Sequence, residues 1–199
     1  DGGGMNNRDI TATIENCTFT DNQAAAMGGG MCNFWGANVT IVDCTFENNQ
    51  VTGYSGAYGG GMGNMDAVVE LSGCTFIGNL APGSWEQPGE GGAMYSVWDS
   101  VIIARDCTFT DNWARKCGGV YSNGGTVEIT GCQFIRNTSV ESETGAAMHN
   151  TGCSPLITNC AFLGNAATIY GGFTRAGGIY NADGSNPVIT NCIFSCNLG

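Results

Sequence analysis

The 199-residue chain carries 17 acidic and 6 basic residues, a net charge of −11, which excludes partners that need clustered Lys and Arg, such as nucleic acid or anionic membrane. Hydrophobic residues make up 42%, enough for a core, yet no apolar run approaches the roughly 20 residues of a spanning helix. Thirty-three glycines against four prolines would suit a flexible linker, but these glycines recur in register, which a linker does not require.

In chain order, the first element is a glycine-rich tetrad closed by a bulky apolar residue, Gly2-Gly3-Gly4-Met5. Twelve residues after Met5 comes Cys17-Thr18-Phe19-Thr20-Asp21-Asn22, of the form C-x-F-x-x-N. The pair then returns six times. Tetrads ending at Met31, Met62, Met94, Val120, Met148 and Ile179 precede motifs beginning at Cys44, Cys74, Cys107, Cys132, Cys160 and Cys192. From apolar residue to Cys is always 12 or 13 residues, whereas successive Cys are 27, 30, 33, 25, 28 and 32 apart. The block from tetrad to Asn is therefore rigid, and the slack falls between the Asn and the next tetrad. A fixed unit of this period is the mark of a solenoid.

Inside each block the residues alternate with period two, the pattern of a strand. Val127 and Ile129 face one way, Glu128 and Thr130 the other; Val39/Ile41 and Val69/Leu71 are their equivalents. Asn16, Asp43, Gly73, Asp106, Gly131, Asn159 and Asn191 precede the repeat cysteines, and these types tolerate the left-handed backbone of a sharp bend. Three short strands per repeat with no helical periodicity predict an all-β fold. Its form is a right-handed, single-stranded parallel β-helix of about seven coils, each of 25–33 residues, in one domain over 1–199. Phe19, Phe46, Phe76, Phe109, Phe134, Phe162 and Phe194 should stack inside it. Asn22, Asn49, Asn79, Asn112, Asn137, Asn165 and Asn197 should form an amide ladder.

The two motifs together resemble the repeats of the polymorphic outer membrane proteins, whose signatures are a G-G-A-I-like tetrad and F-x-x-N. The resemblance covers all seven repeats. It implies a right-handed parallel β-helix of the kind found in bacterial autotransporter passengers and adhesins, and an extracellular or cell-surface setting. It does not extend to the membrane barrel of an autotransporter.

Eleven cysteines are an odd number, and with one His and no C-x-x-C a zinc site is not expected. Seven of them occupy the repeat position and read as small buried residues. Cys32, Cys117, Cys153 and Cys196 lie outside the register and are the candidates for disulfides, with the pairing open. The loops between Asn and tetrad are long at residues 50–58, 80–90 and 166–175. They carry Tyr54, Tyr58, Trp85, Tyr170 and Phe173, which either bind a partner or fold back over the core. His149 sits alone at an outward strand position, structural or solvated rather than catalytic. Arg105-Asp106 and Arg115-Lys116 read as isolated surface charges. No column of carboxylates builds up, so catalytic residues, metal ligands and cofactors are not expected, calcium being the one cation left open.

The chain opens on a tetrad and stops just beyond an Asn. Joined end to start it reads Asn197-Leu198-Gly199-Asp1-Gly2, a spacing near that of the shortest internal loop. The leading expectation is thus a secreted, non-enzymatic protein that stacks head to tail into a filament. The alternative is an adhesin or passenger segment that binds glycans or cell-surface proteins through aromatic loops. A polysaccharide lyase or glycosidase comes third.

Overall fold

The computed structural model describes residues 1–54, 56–168 and 175–199. Each coil lays one strand in each of three seven-stranded sheets. The first sheet runs from Met5–Arg8 through Met31–Phe34, Met62–Met65, Met94–Val97, Val120–Asn123 and Met148–Thr151 to Ile179–Ala182. The second runs from Thr11–Glu15 to Val188–Thr190 and the third from Thr18–Thr20 to Ile193–Ser195. Pairing is parallel and strictly in register: Met31 faces Met62, Val69 faces Val39 and Ile102, and Phe76 faces Phe46 and Phe109. Equivalent residues of successive repeats therefore form columns.

Three strands per repeat were expected, and the coils contain a fourth. Directly after each ladder asparagine two residues pair again, from Gln23–Ala24 to Ala166–Ala167, making a six-stranded sheet. The cause is local: with the asparagine pinned between coils, the next amide reaches the coil before it, as in Gln50 N–H to Asn22 O at 2.9 Å. Ala24, Val51, Ala57, Ala81 and Ala114 fill a small satellite core behind this sheet.

Three corners of each coil are left-handed. The residue before the repeat cysteine has φ between 51° and 67° in all seven coils. The residue before the ladder asparagine does the same (Asp21, Asn48, Gly78, Asp111, Arg136, Gly164, Cys196), as does the residue after each first-sheet strand (Asp9, Trp35, Asp66, Trp98, Gly124, Gly152, Asp183). Asn, Asp and Gly dominate because their αL penalty is small. At the tetrads the constraint is space: a Cβ on Gly60 would lie 2.5 Å from Gly92 O and 2.5 Å from Leu80 N.

The predicted phenylalanine stack is present. Successive ring centroids lie 4.6–5.1 Å apart with interplanar angles of 4–15°. Phe46, Phe76, Phe109, Phe134 and Phe162 are wholly buried, each contributing roughly 1.5–3 kcal/mol by removal from water.

The asparagine ladder is complete, and every amide in its interior is fully bonded. Asn79 Nδ2 donates to Asn112 Oδ1 at 2.9 Å in the following coil and to Phe46 O at 2.8 Å in the preceding one. Its Oδ1 accepts from Asn49 Nδ2 and from the Asn49 backbone N–H, both at 3.0 Å. Two donors and two acceptors are matched, which is the whole capacity of the group. A second polar column, which the sequence reading missed, runs inside the first sheet. Asn7, Asn33, Asn64 and Ser96 are linked by side-chain hydrogen bonds of 2.8–3.3 Å donated by the Asn Nδ2 groups, and Asn150 Nδ2 donates to Asn181 Oδ1 at 2.9 Å. Between these runs, Ser122 Oγ and Asn150 Oδ1 have no partner.

All eleven cysteines are free, which corrects the disulfide candidates. Cys32 lies beside Asn6 and Gly63 on the first sheet, so neither neighbouring coil offers it a thiol. Cys117 stands at the first tetrad position at φ 58°, where the first four tetrads have glycine, and is wholly buried. Cys153 is buried in the turn after the first sheet, and Cys196 is an exposed left-handed corner. Burial pushes the Cys32 thiol up to about 11 and disfavours its reactive thiolate.

Two outcomes test this packing. Asn112→Ala removes the partner of Asn79 N–H and Nδ2 and frees Phe76 O. It should cost about 3 kcal/mol or more in a urea melt, against a smaller loss for Asn22→Ala at the partly exposed first rung. A bulky thiol reagent on native protein should label Cys17, Cys196 and the half-buried Cys192, and reach the eight buried thiols only after denaturation.

Candidate ligand-binding cleft

The outward residue after each tetrad differs in character along the rod. In the first three coils it is Asn6, Cys32 and Gly63; in the next four it is Tyr95, Tyr121, His149 and Tyr180. In-register pairing stacks these last four into one aromatic column. Centroid distances are 5.5 Å for Tyr95–Tyr121, 4.8 Å for Tyr121–His149 and 5.1 Å for His149–Tyr180. Tyr58 extends the column from the loop side, 4.7 Å from Tyr95. The loop supplies it because Met27, Tyr58, Glu90 and Lys116 are themselves bridged coil to coil, forming a rail beside the first sheet.

The far half of the column opens into a cleft of about 790 Å³. Tyr121, His149 and Tyr180 form its aromatic wall, and Lys116, Glu141, Glu143 and Asp183 are the charged residues that line it. Two of those charges are neutralised within the protein. Glu141 Oε1 takes the Arg115 guanidinium at 2.6 Å, and Lys116 Nζ lies 3.3 Å from Glu90 Oε1. Glu90 is held above the usual carboxylate range by burial, partly offset by Lys116. Glu143 and Asp183 are exposed and make no ion pair among the described residues. No group of three metal-ligating side chains occurs among the described residues.

His149 is outward-facing as read from the sequence, but it is not solvated. It is 5% exposed, sandwiched between Tyr121 and Tyr180. Its Nε2 lies 2.9 Å from Thr151 Oγ1, while Nδ1 has no partner. Burial first, and the Lys116 ammonium second, lower its pKa to about 4, so the ring is neutral at physiological pH.

Of the five loop aromatics, Tyr58 folds back onto the column. Tyr54 stands 85% exposed. Trp85, 77% exposed, lays its ring 3.5 Å from the Arg115 guanidinium, while Tyr170 and Phe173 lie outside the described residues. Arg115 is thereby not an isolated surface charge: it is 9% exposed and ties Trp85 to Glu141 at the cleft wall. Tyr95, Tyr121 and Tyr180 were missed because loops were searched for aromatics and strands were not. The signal was there: an aromatic ring follows the tetrad's last residue in four consecutive repeats.

The family model for right-handed β-helix regions matches residues 2–134 and again 69–199, which together span nearly the whole chain. The chain belongs to the right-handed β-helix family. Membership supplies the hand of the winding, in agreement with the expected topology. No curated protein and no solved structure matches the sequence. The fold of a right-handed β-helix does not by itself decide between binding and catalysis.

The buried imidazole has a measurable consequence. Its folded pKa, about 4, lies below the ordinary imidazole value of 6.5, so the unfolded chain binds the extra proton first as pH falls. Its stabilising contribution is present above pH 6.5 and lost towards pH 4, on the order of 3 kcal/mol at 1.4 per pH unit. Glu90, raised, works in the opposite sense and loses its contribution as pH rises. Comparing wild type with His149→Phe, which keeps the ring stack, isolates the imidazole: the variant should lose less stability between pH 6.5 and 4.

Proposed function

We propose that this right-handed β-helix is a non-enzymatic binding shaft of an extracellular or cell-surface protein, gripping a glycan along its aromatic column. The observation that carries the reading is the four-ring stack of Tyr95, Tyr121, His149 and Tyr180, the last three of which line the 790 Å³ cleft. The outer face of Tyr180, which ends the stack, is bounded by polar side chains and suits a sugar, whose C–H face packs on the aromatic surface while its hydroxyls reach the rim. The resemblance of the tetrad and C-x-F-x-x-N motifs to polymorphic outer membrane protein repeats supports the same setting. The aromatics that serve this role are mostly on strands rather than in the loops first considered, so the site is more rigid than a loop site would be.

A second reading, head-to-tail stacking into filaments, is favoured by one observation. In the last coil Ile189, Phe194 and Leu198 are 40, 49 and 59% exposed. Ile189 and Phe194 continue columns that are wholly buried at Ile157 and Phe162. Such an edge suits in-register pairing with a second copy of the same repeat.

A glycan array carrying neutral, acidic and amino sugars tests the first reading. Binding should fall at least tenfold in Tyr180→Ala, be retained in Tyr54→Ala, and leave the β-sheet circular dichroism of both variants unchanged. An absence of binding to every glycan, with filaments visible by electron microscopy at high concentration, would transfer the assignment to self-assembly.

A further inference from the structure

The polar character of the cleft narrows its ligand, on the assumption that the glycan-binding reading holds. The charges that could meet a ligand are not balanced. Lys116 is engaged by Glu90 and Glu141 by Arg115, which leaves Glu143 and Asp183 as carboxylates without an ion pair among the described residues. Asp183 belongs to the corner that follows Tyr180's strand and lines the same cleft as Tyr121, His149 and Tyr180. Glu143 occupies a left-handed position on the loop across the cleft, at φ 50°. His149, 5% exposed, lines the same cleft.

These features share one chemistry. Stacking covers the faces of Tyr121 and His149, so the open aromatic surface is the outer face of Tyr180, which ends the column and presents the negative side of its quadrupole, and the two carboxylates only accept hydrogen bonds. His149 Nε2 shares a hydrogen bond with Thr151 Oγ1 and its Nδ1 is buried, so the imidazole adds no accessible donor to the site in either tautomer. A site of unmatched acceptors at net negative charge repels a uronate polymer and attracts a donor-rich cation. We propose that the cleft recognises amino sugars bearing a free, protonated amine, a glucosamine-type oligosaccharide whose ammonium sits between Glu143, Asp183 and the Tyr121–His149–Tyr180 wall.

Isothermal titration at pH 6 with three hexasaccharides tests this: fully deacetylated glucosamine, fully N-acetylated glucosamine, and galacturonate. The deacetylated oligomer should bind at least tenfold more tightly than the acetylated one. That preference should collapse in the Glu143→Gln/Asp183→Asn double variant and weaken with added salt. Tyr180→Ala should reduce binding of both glucosamine oligomers. Equal affinity for the acetylated and free forms, or preference for galacturonate, overturns the amine assignment while the glycan reading stands. No binding of any oligomer by a folded protein, judged by its circular dichroism, overturns both. Equal affinity for an oligolysine would show charge without sugar recognition and would likewise overturn the proposal.

Discussion

Each buried ladder asparagine is bonded to the coil before it and the coil after it, and the main chain of every coil is hydrogen-bonded to its neighbours in the same register. A slip of one residue would turn Val69 and Leu71 outward and Glu70 into the core, and would unseat the amide from both partners. This coupling of register to buried polar bonds is the constraint from which the rest follows. Phenylalanines stack because the coil spacing is close to the thickness at which aromatic rings make contact, and the same spacing aligns tyrosines on the outer face. Charges are aligned the same way. Arg136 and Asp111 occupy equivalent corners one coil apart, and the guanidinium forks onto the carboxylate at 2.6 and 2.8 Å. Both are well exposed, so the pair fastens the corner only weakly.

The rod is not uniform along its length. In its first three coils the outward position of the first sheet is small or polar, and Met27 lies over Gly63. From the fourth coil onward the position is aromatic and the rail beside it becomes charged, with Glu90 and Lys116 taking the places of Met27 and Tyr58. The second polar column breaks in the same region, where Ser122 is too short to reach the amide of Asn150. A stretch of shaft with small outward residues thus gives way to an aromatic, charged one without any change of fold.

Much of the architecture was legible because it repeats. Coil number, the inward columns, the cysteine-preceding corners and the asparagine ladder all follow from motifs whose spacing holds within one residue. The fourth strand was not legible: segments such as Gln23-Ala24 and Trp113-Ala114 share a small buried second residue but are too short to show alternation, and their pairing is inherited from the asparagine just before them. The corners at Arg136 and Cys196 were hidden for a related reason, since their residue types do not advertise a left-handed backbone and only the stacked coils impose it. The cleft was legible in part. The aromatic run after the tetrads stands in the sequence, but the engagement of Arg115 by Trp85 and Glu141 joins three coils across loops of different length. No single-chain pattern encodes that meeting. Burial of His149 likewise depends on what the adjacent coils place against it.

The separation of a rigid block from a variable loop has an evolutionary reading. Every loop leaves from a ladder asparagine and returns at a tetrad, so all loops share the same two anchor points. A segment such as the one carrying Glu141 and Glu143 can be exchanged between coils by recombination at the repeats, with the hydrogen-bonded frame preserved on either side. Specificity on this scaffold can therefore be relocated in increments of one coil, about 4.8 Å, without searching for a new way to fold. The shaft works as a ruler on which recognition elements are mounted, and a ligand with a regular repeat of its own can be met by choosing which marks on the ruler to occupy.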